Sequence, residues 1–148
     1  AGRARHLLDH KVKALPLRRH LPLTDGVHRV GNIAQGICRV LSDEAGIHGV
    51  FALLDTPEPT YSRIEGAWRN DAPYLTIHRL AGDGRTHGLF RCAADYCKAI
   101  SRNVRADTHA DNRTMQHLLE ENGFLPCGTI HVRDGTPRLA YHWTADRP

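Results

Sequence analysis

From residue 37 onward the apolar positions fall into two regular periods, and these divide the chain into strands and helices. ICRVL and IHGVFALL are short apolar runs on either side of SDEAG, and they predict two antiparallel strands joined by a tight loop. The PEP stretch at 57–59 ends the second. Tyr61 to Trp68 predicts a further strand or an irregular excursion, turned by Asn70 and Asp71 into a strand rich in β-formers from Tyr74 to Leu80. The period then changes. Leu89, Ala93, Tyr96, Cys97 and Ile100 recur at helical spacing, predicting an amphipathic helix over 88–101 with one face on a sheet. Val104, Ala106 and Thr108 alternate with Arg105, Asp107 and His109, as in a strand whose end reaches a functional rim. Asp111 is the predicted N-cap of a second helix with Met115, Leu118 and Leu119 as its buried stripe, stopped by Asn122–Gly123. CGTIHV and RLAYHW, around 133–136, predict a closing hairpin. Strands and helices in this order make an α/β layer with a mixed sheet.

Residues 1–36 carry a different pattern. Leu7, Leu8, Val12 and Leu15 line one face of a short predicted helix ended by Pro16, after which no period is sustained. This atypical segment holds seven Lys or Arg against Asp9 and Asp25, and no Glu, whereas residues 37–148 hold thirteen Lys or Arg against fourteen Asp or Glu. The net charge of +4 therefore belongs to the N-terminal quarter and not to the core at 37–148. A basic arm for nucleic acid is one reading of it. Solvated arginines on a partly ordered helical region is the favoured one, because neither aromatic interleaving nor a nucleic-acid motif accompanies the charge.

With 148 residues and 41% apolar content, one ordinary core is expected. No apolar run approaches the ~20 residues that span a bilayer, and no signal-peptide pattern is present. Cys38, Cys92, Cys97 and Cys127 are scattered without a CxxC pair, which reads as reduced core thiols, with no metal site, in a cytoplasmic protein.

The strongest chemical signal lies between the third clear strand and the first helix. Gly82, Gly84 and Gly88 surround Arg85 immediately before the helix begins. Such a turn leaves backbone N–H groups pointing outward, and with the helix dipole they form a site for a phosphorylated ligand.

TIHRLA, the GRTHGLF turn with its helix, the DTHADN strand end and MQHLLEENGF followed by CGTI together resemble the GCN5-related N-acetyltransferase (GNAT) superfamily, and within it small bacterial acetyltransferases. The resemblance covers residues 37–143 and implies a mixed, mostly antiparallel sheet flanked by helices. It implies acetyl-CoA as cosubstrate, its pantetheine arm lying as an added strand along His78, Arg79, Leu80 and Ala81. Its pyrophosphate would lie on the loop of Arg85, Thr86, His87, Gly88, Leu89 and Phe90. Arg85 and Gly88 match the family's loop pattern, Phe90 departs from it, and the loop is about two residues shorter before Arg85. Asn112 aligns with the asparagine that opens the family's last helix near the pantetheine arm, and capping of that helix together with Asp111 is its alternative, compatible role. The family's opening strand and two helices have no convincing counterpart in residues 1–36. The acceptor implied is an amine of a small molecule or peptide. A homodimer paired through the C-terminal strands is common among relatives.

Acetyl transfer to an amine needs a group to take the ammonium proton, donors for the thioester oxygen, and a route out for the thiolate. The tyrosine that many family members use as acid falls here on Leu119. His78 stands where the family often keeps a glutamate and is the first choice of base. Glu65 and Asp107 are alternatives acting through water, and His78, His109 or Tyr141 is an alternative acid. The competing expectation is a degenerate GNAT-fold module that holds coenzyme A without turnover, favoured by Leu119, Phe90 and the unusual N-terminal segment.

Overall fold

A computed structural model describes residues 38–43 and 45–146 of the chain. The helix read around Leu7 to Leu15, and the rest of residues 1–37, lie outside the described residues.

The two apolar runs around SDEAG form the antiparallel hairpin β1 (Cys38–Asp43) and β2 (Gly46–Leu54). After a 3-10 turn at Pro59–Tyr61 come β3 (Glu65–Gly66) and β4 (Leu75–Gly82), then α1 (Leu89–Ile100) and β5 (Asn103–Thr108). The chain continues through α2 (Arg113–Glu121) into the hairpin β6 (Leu125–His131) and β7 (Pro137–Thr144). Among the described residues the strands form one sheet in the order β1-β2-β4-β5-β7-β6-β3. Every neighbouring pair is antiparallel except β4 and β5, which run parallel. The sheet is thus mixed and mostly antiparallel.

One face of the sheet carries the helices. Phe51, Leu53, Ile77, Val104 and Tyr141 from the strands meet Leu89, Ala93, Cys97 and Leu119 from α1 and α2. Alternation along each strand sends these side chains to one face and their neighbours to the other. The predicted stripe of α1 holds for Leu89, Ala93 and Cys97, with Phe90 and Ala94 added to it. Ile100 departs: at the last helical residue, before Ser101 turns extended, it is 59% exposed. On α2, Leu119 is fully buried while Met115 and Leu118 are half-buried. The cap of α2 is Asn112, whose Oδ1 accepts the Met115 N–H at 3.0 Å, and not Asp111. Asp111 lies one residue too early and turns its carboxylate to His109 Nδ1, 3.5 Å away. At the other end Gly123 takes φ 83°, while Phe124 N–H bonds to Leu119 O and Gly123 N–H to Glu120 O. Those two bonds close a Schellman stop on the glycine the sequence placed there.

The opposite face is covered by residues 58–74, which prove an excursion with only two residues of strand. Tyr61 packs with Ile130 and Ala140, flanked by Trp68 and Tyr74. The Arg105 guanidinium lies between the rings of Trp68 and Tyr74, 4.2 and 3.9 Å from their centroids, and donates to Asn70 O at 2.7 Å. Where β3 meets β6 the backbones nearly touch: a Cβ on Gly66 would lie 2.2 Å from Cys127 O, and one on Gly128 2.0 Å from Glu65 O. Both glycines hold positive φ, 129° and 141°, so no other residue fits this crossing without a shift.

His142 on β7 fastens the excursion from below. Fully buried, it accepts the Arg69 N–H on Nδ1 at 3.2 Å, so Nε2 carries the proton and donates to Asn103 Oδ1 at 3.1 Å. Burial first, then the charges of Arg105 and Arg69, pushes its pKa down from 6.5 to about 4. The unfolded chain binds the extra proton between these two values, so stability rises with pH across that window and falls on acidification. Lowering the pH from 6.5 to 4 is expected to remove about 3 kcal/mol through this group. Urea midpoints across that range measure it, and a His142→Phe variant should lack this part of the pH dependence.

Candidate active site

The parallel pair at the centre of the sheet is very short. Only Leu75 with Val104 and Thr76 with Arg105 are paired between β4 and β5, so from Ile77 onward the two strands part. On its other side β4 stays paired with β2, but Ala52 faces His78 while Val50 faces Ala81, leaving Arg79 and Leu80 opposite a single residue. This is a β-bulge, and Arg79 sits in the left-handed region at φ 54°. A bulge twists the strand and re-aims its amides, here beside the opened seam. Leu80 lines both cavities that flank the seam, one of about 1290 Å³ on the helix side and one of about 650 Å³ on the other.

The helix-side groove runs past Thr86, His87 and Gly88 to Thr114 and Leu118. Gly88 is the N-cap of α1 at φ 82° and offers no side chain to the first turn. The first intrahelical bond runs from Cys92 N–H to Gly88 O, so the amides of Leu89, Phe90 and Arg91 precede the ladder. Phe90 turns its ring inward: it is 3% exposed and its centroid lies 5.9 Å from that of Phe124. Its place in the glycine turn therefore leaves the outward amides clear. Arg85 and His87 are exposed. Asp83 adds something the sequence pattern did not suggest. Its carboxylate accepts the N–H groups of Arg85 at 2.9 Å and Thr86 at 2.8 Å, together with the Thr86 hydroxyl at 2.8 Å. Those bonds, the Arg85 amide foremost, hold it well below the usual carboxylate range. His48 then bridges Asp83 (3.1 Å) to Asp43 (2.6 Å), and the hydrogen bond to Asp43 leads in raising its pKa. The turn is thus tied to the β1–β2 hairpin.

The second cavity holds the titratable groups. His78, on the sheet face away from the helices, places Nε2 3.2 Å from Glu58 Oε2 and Nδ1 3.7 Å from Asp107 Oδ2. The hydrogen bond from His78, then those of the Thr60 N–H and hydroxyl, lowers Glu58 to about 2. Glu58 therefore stays ionised, and the imidazole donates to it. Tyr61 donates to Asp107 Oδ2 at 2.6 Å, and its own pKa is raised by burial and by that carboxylate. Tyr74 accepts the Glu58 N–H at 3.0 Å through its hydroxyl and fixes the loop that carries the carboxylate.

The other residues singled out from sequence separate into those the cavity gathers and those it does not. Arg79, His109 and Asn112 line it with His78. Ala81 is exposed and pairs with Val50. Glu65 is set apart: it is exposed on β3, paired with Thr129 at the far edge of the sheet, and lines neither cavity. Residues 61–68 cross the sheet instead of running beside β4, and the excursion delivers Glu58 in its place. Leu119 is fully buried in the core, and Tyr141 lies under α2 with its hydroxyl 3.4 Å from Glu120 Oε1, so neither faces the seam. Glu58 and Tyr61 were missed as site residues. A carboxylate between two prolines reads as a turn, and only its return to His78 twenty residues on gives it a role.

No family model and no curated protein matches the chain. Solved structures do. A GNAT-family acetyltransferase from Streptococcus agalactiae is 32% identical, over 80% of this chain and 71% of its own, with a TM-score of 0.70. The chain belongs to the GNAT family of acetyltransferases. A protein from Staphylococcus aureus is 25% identical over 80% of this chain and 79% of its own, with a TM-score of 0.59. A GNAT-family structure from Listeria monocytogenes, 18% identical over 80% of this chain and 71% of its own, shares the fold with a TM-score of 0.60. Membership in GNAT makes the acyltransferase class the setting for the two cavities. Among the described residues no helix is long and apolar enough to cross a membrane.

Proposed function

We propose that this chain transfers an acetyl group from acetyl-CoA to a primary amine. The observation that carries the reading is the seam between β4 and β5, which opens at a bulge and lies beside an uncapped helix N-terminus. The fit to the coenzyme is good on three counts. The amides at the start of α1 suit a pyrophosphate, the freed edge of β4 suits an extended amide-bearing arm laid down as a strand, and Phe90 is folded away. Because Asp83 already engages the amides of Arg85 and Thr86, the anion's donors are the amides of Gly88 to Arg91.

Acetyl-CoA supplies an acetyl thioester, whose thiol has an ordinary pKa of about 8.5 and leaves without a strong acid. The chain's own residues do the rest. Glu58 and Asp107 draw the ammonium of the acceptor into the cavity beside the seam. His78 takes the proton that must leave before the nitrogen can attack; its ring then donates on both sides, to Glu58 and to Asp107. Backbone N–H groups at the bulge stand where charge develops on the thioester oxygen. Asn112 caps α2 and borders the same cavity. The buried thiols of Cys92 and Cys97 suit a reducing compartment such as the cytoplasm.

Incubation with acetyl-CoA and a panel of primary amines should release thiol at a rate that depends on both. Binding of acetyl-CoA without amine-dependent release would instead identify the inert module, for which the buried Leu119 is the main argument.

A further inference from the structure

The acceptor cavity has a second end. Glu58, His78 and Asp107 occupy the β4 side, whereas Arg138 stands across β5 at the start of β7, with Arg133 on the β6–β7 hairpin beside it. The register sets the face. Asp107 pairs with Ala140, so Arg138, two residues before Ala140, projects from the same face as Asp107. Its Nε is buried with no hydrogen-bond partner, and among the described residues it makes no ion pair within 4.0 Å. The nearest acid along the hairpin, Asp134, accepts the Thr136 N–H at 2.9 Å and feels the Arg138 charge without closing an ion pair on it. A buried cationic donor without a partner is costly, and the half-buried guanidinium has its Nη groups left to meet one planar anion, a carboxylate.

We propose that the acceptor is an amino carboxylate, an amino acid or a compact relative. Its carboxylate sits on Arg138 and its amine meets Glu58, His78 and Asp107. This rests on the acetyltransferase reading and names its substrate class. Strands β4 and β7 lie on either side of β5, and from Ile77 onward β4 parts from β5. Side chains reach inward from both, which leaves room for a few carbons between amine and carboxylate. The cavity is net acidic on the β4 side, where Glu58 and Asp107 outnumber Arg79, and net basic at the hairpin, where Arg133 and Arg138 outnumber Asp134, so it selects a zwitterion over a plain amine or a polyamine. In the transfer the amine nitrogen forms its bond to the acetyl carbon while the carbon–sulfur bond breaks and its electron pair leaves on sulfur. Of the two protons the ammonium sheds, one passes to His78 and then solvent, the other to the thiolate.

Equilibrium titration of the whole chain with matched pairs tests this without requiring turnover: lysine against cadaverine, phenylalanine against phenethylamine, leucine against isoamylamine. At least one amino acid should bind about tenfold more tightly than its amine. Arg138→Gln should erase that difference without weakening the amine, and Arg138→Lys should restore part of it. Equal or tighter binding of every amine, no binding of any pair, or a preference that survives in Arg138→Gln overturns the proposal. Thiol release with the same pairs reads the transfer separately. Preference without release sinks the acetyltransferase reading and leaves amino-carboxylate recognition standing, whereas release with amines preferred does the reverse.

Discussion

Gly88→Glu should lower affinity for acetyl-CoA by about a thousandfold, near 4 kcal/mol, while leaving the fold in place. Gly88 is the N-cap of α1 at φ 82°, where an L side chain costs about 1 kcal/mol. The carboxylate it introduces offsets part of that, since an acidic group at a helix N-terminus is itself stabilising. The melting temperature should therefore move by a few degrees at most. Binding has no such compensation: the new carboxylate competes for the amides that precede the helix ladder, and it repels the pyrophosphate from the same place. Gly88→Ala separates the two effects, because it carries the backbone strain without the charge and should lose far less affinity. Isothermal titration of the three proteins measures the ordering. Unchanged affinity in the glutamate variant would remove the phosphate site from the α1 terminus.

Replacing His78 with Gln should cut kcat/KM for amine acetylation by 10²–10⁴-fold, roughly what a positioned general base contributes. The glutamine keeps a donor for Glu58, so the 3.2 Å contact that holds the loop at Glu58 is conserved and KM for acetyl-CoA should stay within a few-fold. A variant that retains its rate would move the base to Glu58 or to water held by Asp107. Because Glu58 is lowered to about 2, it remains a carboxylate throughout the working range.

The parts of this site that were legible in the sequence are those set by local rules. Alternating apolar runs gave the hairpins, the helical stripe gave α1, and the glycine turn before it gave the uncapped terminus. Three features are decided by tertiary structure and only partly by local sequence. The bulge at Arg79 and Leu80 places a non-glycine residue at φ 54°, against its intrinsic preference, inside a run that otherwise reads as unbroken strand. Residues 58–74 have no period because they follow the contour of the sheet, held by the Arg105 stack and by His142. The carboxylates that flank His78 come from positions 20 residues before it and 29 after it, and no spacing rule links them. The choice of Asn112 over Asp111 as cap is a smaller case: both residue types cap well, and only the turn at His109–Asp111 decides between them.

The parting of β4 and β5 also bears on how the molecule holds together. Two residue pairs are all the backbone pairing that joins β1-β2-β4 to β5-β7-β6-β3. What bridges the line between these halves is α1, which packs on β1, β2 and β4 on one side and β5 on the other. A strand-like ligand laid into that line would act as a rivet, supplying hydrogen bonds to both halves where the chain supplies almost none. The same opening proposed to admit the coenzyme is then a weak line through the middle of the sheet. Loading it would make the two halves melt together, so the ligand contributes to the cooperativity of the fold as well as to its chemistry.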